Sequence, residues 1–212
     1  INNAFSNSIS YDRIGRTITQ PVNVDGNYNT STYMGFELPA IKNWLKIKPN
    51  VSFHYNSNTN YINGIKNVTT NAAYKTSVNI SRQAEKYEIE ISGSYDYNNP
   101  KSTLNVQSNK SYYSQEYMAS VDIQLFEKFS IESDANYHLN NGRTQGYNIN
   151  YLIWNVSLSR TFLKQENLIV SINGYDILNQ NINATRNVQD NVINDTKTNI
   201  INRYFLLKVI FK

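Results

Sequence analysis

The stretch Lys86–Asn98, KYEIEISGSYDYN, alternates between two kinds of side chain with hardly a slip. Tyr87, Ile89, Ile91, Gly93, Tyr95 and Tyr97 hold one set of positions, and Glu88, Glu90, Ser92, Ser94, Asp96 and Asn98 hold the other. Successive side chains of an extended strand point to opposite faces, so this segment predicts a strand with one apolar and one wet, acidic face. The same period of two recurs in Tyr28–Leu38, Leu45–Tyr55, Ala72–Ile80, Tyr117–Leu125, Phe129–Leu139, Leu152–Phe162, Leu168–Ile172 and Phe205–Phe211, with a weaker first strand Ala4–Tyr11. About ten antiparallel strands are predicted, and no segment shows a helical period. Most run to roughly 9–13 residues. Membrane-crossing strands need about 9–11, whereas strands of globular proteins centre near 5–6.

The connections fall into two kinds. Leu38–Asn43, Ser81–Lys86, Phe126–Lys128 and Leu163–Asn167 read as tight turns, and the segments 12–27, 57–70, 99–111, 140–149 and 179–200 as long polar loops. Short and long alternate, which puts all tight turns at one end of a meander and all loops at the other. Outer-membrane barrels have that asymmetry, with short periplasmic turns and longer extracellular loops. Aromatic residues fall at both ends of the apolar set. Tyr11, Tyr28, Tyr55, Tyr95, Tyr97, Tyr117, Tyr137, Tyr151 and Trp154 are expected at the loop rim, and Trp44, Tyr87, Phe126, Phe129, Phe162 and Phe211 at the turn rim. Two aromatic girdles around an aliphatic band are what two membrane interfaces select, so the apolar face is expected to meet lipid. Three residues fit poorly. Asn7 points outward, Pro49 removes a ladder donor and should force a bulge or an irregular pair, and Arg160 points outward near the turn rim, where its stem reaches toward headgroups.

Composition narrows the alternatives. The 212-residue chain is only 40% hydrophobic, yet 13% aromatic, with 17 Tyr against 8 Phe. Disordered chains are depleted in aromatic and β-branched residues, which are plentiful here. A net charge of +4 without basic clusters gives no nucleic-acid footprint. No cysteine is present, which excludes disulfides and thiolate metal sites. No apolar run approaches the roughly 20 residues of a spanning helix. The N-terminus has no basic region followed by an apolar stretch, so the chain reads as a mature protein or as a piece of a longer one.

Candidate chemistry is sparse. His138 and Asp134 share the polar face of one predicted strand, with His54 inward near the same rim, but four positions along a strand separate side chains by about 13 Å, too far for an acid–base dyad. Glu88, Glu90, Asp96, Glu116, Asp122, Glu132 and Asp134 form a polar, acidic wall together with inward Lys46, Lys48, Lys75 and Lys208, as a water-facing lumen requires. Asp25, Asp190 and Asp195 match no calcium-loop spacing, so no metal site or cofactor is expected.

Four segments carry a resemblance: SYDRIGRTITQPVNVDGNYN (Ser10–Asn29), LIWNVSLSRTFLK (Leu152–Lys164), YDILNQN (Tyr175–Asn181) and NRYFLLKVIF (Asn202–Phe211). Together they resemble the C-terminal barrel region of TonB-dependent-receptor-like outer-membrane proteins of the Bacteroidetes type, related to SusC. The resemblance implies an all-β, transmembrane up-and-down barrel, with about ten strands here out of about 22 in the whole. It implies one barrel segment over residues 1–212, with an N-terminal plug and the other barrel half preceding it. It further implies a role in nutrient uptake rather than catalysis, and lipid, the plug, TonB and a surface lipoprotein as partners. Tyr204, Phe205, Leu207, Val209 and Phe211 would form the terminal strand read by the assembly machinery, although Lys212 follows the final aromatic. A structural barrel subunit of a larger outer-membrane or secretion complex is the alternative expectation, and a complete ten-stranded barrel enzyme a more distant one.

Overall fold

The computed structural model describes residues 4–41, 44–126, 128–143, 145–163, 167–189, 192–198 and 201–211. They form fourteen strands: β1 (Ala4–Tyr11), β2 (Thr17–Val24), β3 (Tyr28–Gly35), β4 (Leu38–Ala40), β5 (Leu45–Ile62), β6 (Ile65–Gln83), β7 (Tyr87–Ser102), β8 (Tyr112–Leu125), β9 (Phe129–Asn141), β10 (Asn150–Phe162), β11 (Leu168–Tyr175), β12 (Asn183–Gln189), β13 (Val192–Thr198) and β14 (Tyr204–Phe211). Twelve of these make one sheet, in which β5 to β11 follow one another as a meander, β14 flanks β11, and β3 and β4 flank β5. β12 and β13 make a separate hairpin. Among the described residues the sheet does not close, because β14 and the β3–β4 edge do not pair with each other.

The ladder registers keep the predicted faces in step from strand to strand. Ile80, Ile91 and Ala119 fall in one row, and Ile131 pairs both Ile123 and Leu158, so aliphatic side chains of neighbouring strands share one face. A one-residue slip anywhere would turn a whole strand over and bring charge onto that face.

What the sheet lacks is a core of its own. Val24 is the one buried hydrophobic residue among those described, while Ile91, Ile172, Leu207 and Val209 stay more than half exposed. Ordinary folded chains of this length bury most of their Ile, Val and Leu. Here these side chains stand on one continuous face, and among the described residues no second layer covers them.

The loop pole differs from the sequence expectation. The segment 57–70 is not a loop: β5 and β6 continue through it and meet at Asn63–Gly64, whose positive φ values of 49° and 77° make a two-residue hairpin turn. The segment 12–27 is not a loop either. β1 turns at Asp12–Arg16 and returns as β2, with Asp12 Oδ1 accepting from the Ile14 and Arg16 amides and Oδ2 from Arg16 Nε. The Arg16 guanidinium holds the Asp12 carboxyl below its ordinary pKa. β1 is therefore not a member of the meander. It lies parallel to the far end of β5, pairing at Ser8–Tyr61 and Ile9–Ile62, and Asn63 bonds to its backbone at Ile9 and Tyr11. Asn7 accordingly belongs to this outer hairpin and faces Pro21 of β2. The segment 179–200 also holds structure, the β12–β13 hairpin, and β7 runs on to Ser102.

Pro49 forces no bulge. The β5–β6 ladder passes through the Pro49–Val78 pair without a break, because the missing N–H faces the other neighbour. There the Phe36 amide reaches the Pro49 carbonyl at 3.4 Å and no return bond exists, so the edge strand is interrupted between β3 and β4.

Candidate functional site

The polar face of the sheet is the candidate site. Its lowest row, near the tight turns, sets Glu88, Asp122 and Glu132 directly opposite one another on β7, β8 and β9. Like charges in that position repel. Among the described residues no cation pairs with them; Gln83 donates to Glu88 at 3.4 Å, and the three acids line a shallow depression of about 260 Å³. One row further, Glu90 accepts from Asn79 at 2.6 Å and Asp134 from Asn155 at 2.8 Å, so amides rather than lysines satisfy these carboxylates. Lys48 is drawn to Glu37 at the sheet edge, 2.9 Å away.

The Asp134–His138 pair does not form. Asp134 is taken by Asn155 and Asn136, while His138 faces Glu116 across the β8–β9 ladder at 3.7 Å and stacks on Tyr151 with ring centres 4.7 Å apart. Tyr151 is thus a correction to the expected outer girdle, since its register puts it on the polar face beside His138. His54 bonds Ser31 at 2.8 Å on β5, and four ladder steps, roughly 19 Å, separate its strand from that of His138.

On the apolar face the register sets the other aromatics in rows. Phe53, Tyr74 and Tyr97 lie in consecutive contact, at 4.9 and 6.4 Å between rings. Tyr28 stacks on Tyr55 at 5.4 Å and Tyr95 meets Tyr113 at 5.5 Å. Tyr117 pairs with Tyr137, and Trp154 donates its indole N–H to Ser133 at 3.0 Å. At the turn end Trp44 lies under Arg82, and Phe129 and Phe162 flank Arg160. The terminal strand sets Phe205, Leu207, Val209 and Phe211 on this face and Tyr204 on the other, stacked on Tyr175 at 4.7 Å; Lys212 lies outside the described residues.

Above the polar face, the loop pole is built from Asn, Ser and Thr. Asn67, fully buried, donates to Asn60 and Thr69 and accepts from Ser102, Thr103 and the Leu104 amide. One side chain so ties the β5–β6 tip to the loop leaving β7. The Asp176 carboxylate accepts the Gln180 and Asn181 amides at 2.9 and 3.0 Å, and its own amide donates to Asn155. This turn, in YDILNQN, launches the β12–β13 hairpin. Through Arg186 that hairpin touches the end of β9 and the start of β8. Arg186 makes a paired bond to Asp195 at 2.7 and 2.6 Å, reaches the Gly142 carbonyl at 3.1 Å and lies over the Tyr112 ring. Burial, and then the Arg186 charge, push the neighbouring Arg143 guanidinium below its ordinary pKa. Of the acids considered for calcium, Asp195 is committed to Arg186, the Asp25 carbonyl accepts from Thr59, and Asp190 lies outside the described residues. Among the described residues no group of acids and histidines is placed to hold a metal ion.

A long-stranded antiparallel meander with one uncovered apolar face and one polar face has the pattern of a β-barrel wall. The profile of the outer membrane protein beta-barrel family matches residues 58–211. The chain belongs to that family, which places it in the outer membrane. No curated protein and no solved structure matches it.

Proposed function

We propose that the chain is the C-terminal wall of a TonB-dependent-type transporter, related to SusC, that takes up a nutrient ligand across the outer membrane. The observation that carries the reading is the open sheet. Among the described residues nothing pairs with the outer side of β14 or of β3–β4, and backbone groups left unpaired there would each cost on the order of several kcal/mol in hydrocarbon. In this reading further strands pair with these edges, as the earlier part of a barrel of about 22 strands would. The apolar face then meets lipid, the acidic face lines the lumen toward a plug, and the loop pole faces outward, where a surface lipoprotein would dock.

The test is uptake. Cells carrying the full protein should accumulate its ligand only with an intact proton-motive force, and the periplasmic domain of TonB should co-purify with it. Folding and membrane insertion with neither property would favour the second role, a structural barrel in a larger surface or secretion assembly.

A further inference from the structure

Two arginines stand on the apolar face, where each ought to be costly. Arg82 pairs with Ile89 and Arg160 with Phe129 and Val170, all on the aliphatic side of the sheet. Each lies close to a tight turn and is flanked by two aromatic rings. The Arg82 guanidinium sits 3.8 Å from the Trp44 ring centre and 5.1 Å from that of Tyr87. Arg160 sits 4.7 Å from Phe129 and 4.8 Å from Phe162. Neither has an acidic partner among the described residues, and Arg82 Nε is enclosed without a hydrogen-bond acceptor.

Ring faces neutralise part of a guanidinium's charge but offer its in-plane N–H groups no acceptor. Both arginines stand at the turn end of their strands, where lipid headgroups begin if the apolar face meets lipid. A planar guanidinium matches a phosphate oxygen pair bidentately, and the flanking rings suit the glycerol and upper acyl chain below it. We infer that Trp44–Arg82–Tyr87 and Phe129–Arg160–Phe162 are two phospholipid clamps at the turn rim, each holding the phosphate of one headgroup. The inference rests on the membrane reading of the apolar face. The clamps stand on β6 and β10, four ladder steps apart, so each holds its own lipid.

Native mass spectrometry of the full protein in detergent, with phosphatidylglycerol, diacylglycerol of the same chains or inorganic phosphate added, tests this. The wild type should retain two phosphatidylglycerol molecules above the diacylglycerol background. Arg82→Gln and Arg160→Gln should each lose one, with retention at that clamp falling about tenfold. The double variant should lose both, and Arg13→Gln, on the opposite pole, neither. Unchanged retention in the folded double variant overturns the clamps. Arginine-dependent binding of inorganic phosphate without a lipid preference does so too, since it would mark a plain anion site. A heat-dependent shift in gel mobility reports the folded barrel independently. If the wild type lacks it, the membrane reading fails and the clamps with it. If the double variant alone lacks it, the single variants decide.

Discussion

Gly93 and Gly174 each face an aromatic residue across the ladder, Tyr117 and Phe205, and the two close approaches differ enough to predict opposite outcomes. A Cβ on Gly93 would lie 3.4 Å from the Tyr117 ring, an ordinary contact, whereas on Gly174 it would lie 3.0 Å from Phe205. Gly93→Ala should raise stability by about 0.5 kcal/mol through lower unfolded-state entropy. Gly174→Ala should lower it by about 1 kcal/mol, because the Phe205 ring must give by a few tenths of an ångström. Urea unfolding in detergent reads both. At this scale the alternating faces were legible, since a strand's period of two needs no knowledge of its neighbours. The partner of a polar side chain was not. Asp134 sits near His138 in the sequence, but its acceptor capacity goes to Asn155 on another strand, and only the register reveals that.

Among the elements, the far hairpins rest on single polar residues. Asn67→Ala would leave the buried Ser102 hydroxyl and the partly buried Thr103 hydroxyl and Leu104 amide without the Asn67 acceptor, at a cost of about 2 kcal/mol. Amide exchange at residues 103–105 should accelerate about 30-fold, while β8 and β9 keep their protection. Pro49→Val should do the reverse at the sheet edge. It restores the bond to Phe36 and should slow exchange at the β3–β4 break, with a stability change of at most about 1 kcal/mol. The extra length of β5 and β6 was legible in Asn63–Gly64, a strong two-residue hairpin signal that the polar composition of the segment masks. Asp12 and Gly15 likewise announce the β1–β2 turn. The docking of β1 alongside β5 had no such signal. It is a parallel pairing between segments far apart in the chain, fixed by Asn63 contacting Ile9 and Tyr11, and local pattern carries no information about it.

For the molecule as a whole, the decisive feature is a large apolar surface with Val24 as the only buried hydrophobic residue among those described. A protein partner would leave that surface buried against side chains; a bilayer would leave it in contact with acyl chains. The chain has no cysteine, so single cysteines placed at 89, 90, 91, 92, 119, 120 and 121, carrying spin labels in reconstituted membranes, separate the two. Oxygen collisions should dominate at 89, 91, 119 and 121, and a water-soluble nickel relaxant should dominate at 90, 92 and 120, giving a period of two along both strands. Labels at 89, 91, 119 and 121 that are shielded from oxygen and nickel alike, or that lose the alternation, would contradict a lipid-facing wall.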